Sequence, residues 1–116
     1  MSARVLKNKP LLASVAQATD PTSGTVMADT GAVTAAGLYE FRIFPGASAT
    51  AQFAVQRRNA ANGANVGDVV VLYAAAGQTG GYILTYSLEV GERVRVVMNA
   101  SLTGSAAVAI NGERLG

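Results

Sequence analysis

From Gly37 onward the chain alternates apolar and polar side chains with a period of two, in one short segment after another. An extended strand places every second side chain on one face, so this pattern commits most of the chain to half-buried β-strands. Residues 37–44 set Tyr39, Phe41 and Ile43 on one face and Glu40 and Arg42 on the other, and Pro45-Gly46 is expected to end the strand. Residues 49–57 follow, with Ala51, Phe53 and Val55 on the apolar face. A polar loop with an Asn62-Gly63 turn signal leads into residues 68–74, a nearly continuous apolar run expected to be a strand buried on both faces. After Gly80-Gly81, Tyr82, Leu84, Tyr86 and Leu88 share a face. The turn at Val90-Gly91-Glu92 then leads to Val94, Val96 and Met98, with Arg93 and Arg95 opposite, and Ala106, Val108 and Ile110 form a last inward face.

Residues 1–36 lack this sustained period. They are rich in Ala, Thr, Ser and Asp, with short apolar patches near residues 11–15 and 25–28. The expectation is an extended N-terminal arm with one or two short strands, followed by a β-sandwich over residues 37–116. Six strands after residue 37, added to those of the arm, predict an all-β antiparallel sandwich of seven or eight strands. The alanine pairs and triplet at residues 35–36, 60–61 and 74–76 adjoin Gly, Asn or Val and are expected to form at most a helical turn. Arg4, Lys7 and Lys9 before a short apolar run imitate a secretion signal. Pro10 interrupts its start and the apolar run is short, so a cytosol-made, soluble protein is expected, with no membrane partner.

The inventory of reactive side chains is thin. The chain has no Cys and no His, which removes disulfides, thiol nucleophiles, imidazole bases and most zinc, copper or haem sites. Seven carboxylates, Asp20, Asp29, Glu40, Asp68, Glu89, Glu92 and Glu113, are scattered with no spacing that pairs two across a cleft. Glu89 and Glu92 flank one turn and are expected to be solvated there. Asn62, Asn65 and Asp68 are too sparse for a calcium loop. No phosphate-binding glycine pattern occurs. Tyr39, Tyr82 and Tyr86 lie on apolar strand faces and are expected in the core. The sequence therefore predicts no enzyme, no catalytic or metal-ligating residue and no cofactor.

Charge points to a partner instead. Charged residues are 14% of the chain against roughly 25% in an ordinary soluble domain. Net charge is +2, with no clustered basic run of the kind that marks nucleic-acid binding. Lys7 and Lys9 are the only lysines, and every cation after them is Arg. Arginine is favoured at protein interfaces, where its planar fork pairs with carboxylates and carbonyls; a GC-rich coding sequence would also produce the bias. Arg42, Arg57, Arg58, Arg93 and Arg95, on or beside outward strand positions, are the candidate partner-binding residues. Low charge also predicts self-association, as a dimer or trimer.

The phrase from Gly81-Tyr82-Ile83-Leu84, through Leu88, Gly91-Glu92-Arg93-Val94-Arg95-Val96, to Gly104-Ser105-Ala106 and Ile110, resembles the C-terminal half of small viral jelly rolls. Among these it is most similar to head decoration, or cement, proteins of tailed bacteriophages. It also resembles the trimeric jelly rolls related to tumour necrosis factor and complement C1q, and phage fibre tips. The resemblance spans residues 37–116 and rests on hydrophobic spacing and glycines. It implies a jelly roll that binds the major capsid protein on the outside of a phage shell, in the virion, without catalysis after assembly in the host cytoplasm. It transfers no functional residue. The alternative expectation is a recognition module, a fibre tip or carbohydrate-binding sandwich, with an exposed aromatic-lined pocket.

Overall fold

A computed structural model describes residues 11–60, 63–67, 69–77 and 80–116. Arg4, Lys7, Lys9, Asn62 and Asp68 lie outside the described residues. The strands are β1 (Leu11–Thr19), β2 (Val26–Asp29), β3 (Gly37–Ala47), β4 (Ala51–Arg58), β5 (Val70–Ala74), β6 (Tyr82–Leu88), β7 (Arg93–Met98) and β8 (Ser105–Arg114). No helix occurs among the described residues. β1 pairs with β8, β2 with β7, β3 with β6 and β4 with β5, all antiparallel. That nesting is a long hairpin folded over on itself. Rolling it brings β3 beside β8 and β4 beside β7. The result is two four-stranded sheets, sheet A in the order β1-β8-β3-β6 and sheet B in the order β2-β7-β4-β5. The architecture is a jelly-roll-like β-sandwich.

The alternation read from the sequence sets the core. Tyr39, Phe41 and Ile43 from β3 meet Phe53 and Val55 from β4, Val94, Val96 and Met98 from β7, and Val108 and Ile110 from β8. Each such side chain, fully withdrawn from water, contributes about 1.5–3 kcal/mol. The rings of Tyr39 and Phe41 stack at 6.1 Å, and Phe41 meets Tyr86 edge-on at 6.0 Å.

The residues before Gly37 join the same body. β1 runs along β8 from Leu11↔Glu113 to Thr19↔Ser105, and Met27, Ala28 and Val33 are part of the core. β1, nine residues long, and β2, four residues long, are edge strands, each paired on one side.

Two expectations are corrected. β3 does not stop at Pro45; it continues to Ala47 beside β8. Its pairing with β6 ends at Ile43↔Tyr82, so beyond that point β3 has a free side on which a residue without an N–H costs no ladder bond. β5 is not buried on both faces. It is the edge of sheet B, with Leu72 and Ala74 inward while Val71 and Tyr73 stand in solvent.

Candidate functional site

Antiparallel register decides which arginines meet. On β4 the inward face carries Phe53 and Val55, so the period of two sends Arg57 inward and Gln56 and Arg58 outward. On β7 the inward residues are Val94 and Val96, so Arg93 and Arg95 face out. The pairing sets Arg58 directly opposite Arg93, and Gln56 opposite Arg95. On the other flank of β7, Asp29 of β2 is also opposite Arg95. Arg58, Arg93 and Arg95 thus gather on the outer face of sheet B.

Each is held by a polar neighbour. Arg95 Nε donates to Gln56 Oε1 at 2.7 Å, and Arg58 Nη1 donates to Asn65 Oδ1 at 2.7 Å. Arg93 Nη1 reaches Asp29 Oδ2 at 3.5 Å. Among the described residues, Asp29 is the carboxylate that pairs with this trio. Partial burial pushes the Arg95 guanidinium below its ordinary range, Arg58 and Arg93 push the same way, and Asp29 opposes them. Among the described residues three cations therefore share this surface with one paired carboxylate, and Arg58 and Arg93 stand directly opposite each other, where like charges disfavour pairing.

Beside the arginines lies an apolar row. Val26 of β2 is opposite Val97 of β7, Val97 opposite Ala54 of β4, and Ala54 opposite Val71 of β5. Val97 and Ala54 are buried, and Val26 and Val71 are exposed at the two ends. An apolar strip bordered by guanidinium groups matches the composition of protein interface centres.

The other two candidate arginines lie elsewhere. Arg42 is on the outer face of sheet A, where its Nη2 pairs with Glu40 Oε1 of its own strand at 3.2 Å and its side chain remains 61% exposed. Arg57 points into the end of the sandwich and pairs with Glu92 Oε1 at 3.0 Å. Glu92 is buried rather than solvated, which corrects the expectation for that turn. The cause is local. Gly91 adopts φ of 91° in the third position of the turn 89–92, where a side chain would be strained, and the Glu92 N–H donates to Glu89 O at 3.0 Å. The turn folds the Glu92 carboxylate back to accept from the Glu89 N–H at 2.8 Å as well as from Arg57. Nearby, Arg57 Nε and the Tyr86 hydroxyl are both buried without a hydrogen-bond partner. Burial pushes the Tyr86 phenol above its ordinary range, and the Arg57 cation pulls in the opposite direction.

A hollow of about 540 Å³ opens at one end of sheet A, lined by Gln17, Thr19, Gly46, Ser48, Ser105 and Ala107 among others. Its lining has small and polar side chains and no aromatic ring, unlike the pocket expected of a recognition module. Tyr73, 53% exposed on β5, belongs to the other sheet.

No protein-family profile matches this chain, and no curated protein sequence matches it. Solved structures do share its fold. One is the CBM22-1 and GH10 modules of the Clostridium thermocellum N-terminal endo-1,4-beta-D-xylanase 10B with xylohexaose, at a TM-score of 0.62 and 12% identity. That match covers 95% of this chain and 25% of the xylanase chain. The globular domain of zebrafish complement 1qA follows at 0.61 and 13%, covering 93% of this chain and 98% of that one. The PRD1 vertex protein P5 matches at 0.50 and 11%, over 90% and 97% of the two chains. At these identities the likeness is one of fold.

Proposed function

We propose that this chain is a non-enzymatic structural subunit that docks on a larger protein shell through the outer face of sheet B, as a phage capsid decoration protein does. The observation that carries this reading is the trio Arg58, Arg93 and Arg95, with one paired carboxylate, bordering the apolar row from Val26 to Val71, whose two end valines are exposed. Each guanidinium has N–H groups besides the one held by its neighbour with which to engage carboxylates or carbonyls of the shell subunit, and the two exposed valines add apolar contact. The resemblance to cement proteins and the fold shared with a phage vertex protein support a shell as partner. The place of action is then the virion surface, and no cofactor takes part. The test is co-sedimentation with shells of the major capsid protein that lack this chain. Saturable binding and a raised shell melting temperature are expected, and failure to sediment at micromolar concentration overturns the reading.

A second reading has two observations behind it: the fold is shared with xylanase modules solved with xylohexaose, and Tyr73 offers an exposed ring. Titration with xylohexaose, following tyrosine fluorescence, separates the two. Saturable quenching that Tyr73→Ala abolishes would favour it.

A further inference from the structure

The side of the molecule formed by β5 and β6 is distinct from the arginine face and has an unusual composition. No charged residue occurs in residues 69–88, which contain both strands. Among the described residues, β5 pairs with β4 alone and β6 with β3 alone, so each has one row of backbone N–H and C=O groups outside any ladder. The two edges lie on the same side of the sandwich, where the Tyr82 hydroxyl donates to Tyr73 O at 2.6 Å. Natural sheets protect such edges with lysine, proline or a bulge. Neither strand contains Lys or Pro, and the β3–β6 register runs from Gly37↔Leu88 to Ile43↔Tyr82 with no shift. Val69, Val71, Tyr73 and Ile83 are exposed here, Ile83 at 63%. Tyr82, Leu84 and Tyr86, on the core side of β6, are half-buried, whereas Tyr39, Phe41 and Ile43 beside them are buried.

We infer that β6 pairs antiparallel with β6 of a second copy of this chain across a twofold axis at Thr85, joining two copies of sheet A into one eight-stranded sheet. The occupant is a second copy because β6 is its own complement. With Thr85 opposite Thr85 of the other copy, Leu84 meets Tyr86, Ile83 meets Ser87 and Tyr82 meets Leu88. Every apolar inward residue then faces another, and the full strand is used. Shifting by one residue would set inward side chains against outward ones. Electrostatics agrees. A twofold axis sets this edge against an identical edge, so an edge charged with one sign would repel its copy, and residues 69–88 carry no charge. Each copy's half-buried Leu84 and Tyr86 gain the cover that an edge position denies them.

The test uses the full chain. Light scattering with size exclusion is expected to give a dimer at tens of micromolar, a concentration at which weak association of about 10 μM dissociation constant is visible. Thr85→Lys and Thr85→Glu, each at an exposed position, are expected to raise that constant more than tenfold and give monomers. A mixture of the two is expected to restore the dimer mass, because opposite charges then meet at the axis. A circular-dichroism melt confirms that each variant folds. Since the chain has no cysteine, Thr85→Cys supplies an independent reading. Directly opposed residues have Cα atoms about 4.5–5.5 Å apart, within disulfide reach, so mild oxidation should link two copies. Ile83→Cys and Ser87→Cys, off the axis, should not link to themselves. A monomeric natural chain, a Thr85→Lys variant that remains dimeric, or linking at Ile83→Cys but not at Thr85→Cys would overturn the assignment.

Discussion

The outer faces of the two sheets carry arginine in opposite ways. On sheet A, Arg42 sits two residues from Glu40 and pairs with it, and Glu113 of β8 stands opposite Glu40, so there the cation has carboxylate to spare. On sheet B, Arg58 and Arg93 stand opposite one another, Arg95 is close by, and Asp29 is the carboxylate paired with them. Both faces are built from the same alternating strands. The difference is one of pairing, and it shows that outwardness alone does not make an arginine a docking residue. A third case lies between the sheets, where Arg57 and Glu92 form a nearly buried pair. The interior pair is part of the fold, the exposed pair lies within one strand, and the trio is the set that the proposed docking would use.

Substitutions should separate these three roles. The largest stability effect belongs to Arg57→Ala, which leaves the buried Glu92 carboxylate without its cation and should cost about 3 kcal/mol in a urea melt. Pairing Arg57→Met with Glu92→Leu should recover much of that loss, because no uncompensated charge remains. Arg42→Ala removes an exposed ion pair and should change stability by about 0–1 kcal/mol, with no effect on partner binding. Tyr86→Phe deletes a buried hydroxyl without a partner and should be near neutral, within about 0.5 kcal/mol at pH 7. Its effect is expected at high pH instead. The Tyr86 phenol is raised in the folded chain, so the stability it contributes is present below about pH 10, where the unfolded group titrates, and is lost as pH rises further. Melts from pH 9 to 11.5 should therefore fall less steeply for Tyr86→Phe than for the natural chain.

The faces of β3, β4, β6, β7 and β8 were legible in the sequence because a two-layer sandwich buries one side of each strand, and a period of two records which side. The same period separates Arg57 from Arg58, since adjacent residues in a strand face opposite ways; that signal was present and suffices to take Arg57 out of an outward patch. What the period does not carry is neighbourhood. The apolar run ending at Ala74 reads as a doubly buried strand, yet β5 has a strand on one side only, and strand order is set by long-range rolling of the hairpin. Glu92 reads as a solvated turn residue because its partner Arg57 lies 35 residues away. Arg42 shares the alternation of Arg93 and Arg95, but the topology sends its strand to the other sheet. The gathering of Arg58, Arg93 and Arg95 likewise depends on β4–β7 register, which no local pattern states.

Docking on the shell is proposed to run through the arginines of sheet B. Its most direct test is the affinity of Arg93→Ala with Arg95→Ala for capsid shells at two salt concentrations, with Arg42→Ala as the control. Both variants should melt within about 1 kcal/mol of the natural chain, as surface substitutions do. The double variant should lose about 2–5 kcal/mol of binding, the range for truncating charges desolvated at an interface, while the control binds as the natural chain does. Equal losses in both, vanishing at high salt, would show diffuse attraction in place of a docking face. Undiminished binding of the double variant would contradict the claim outright.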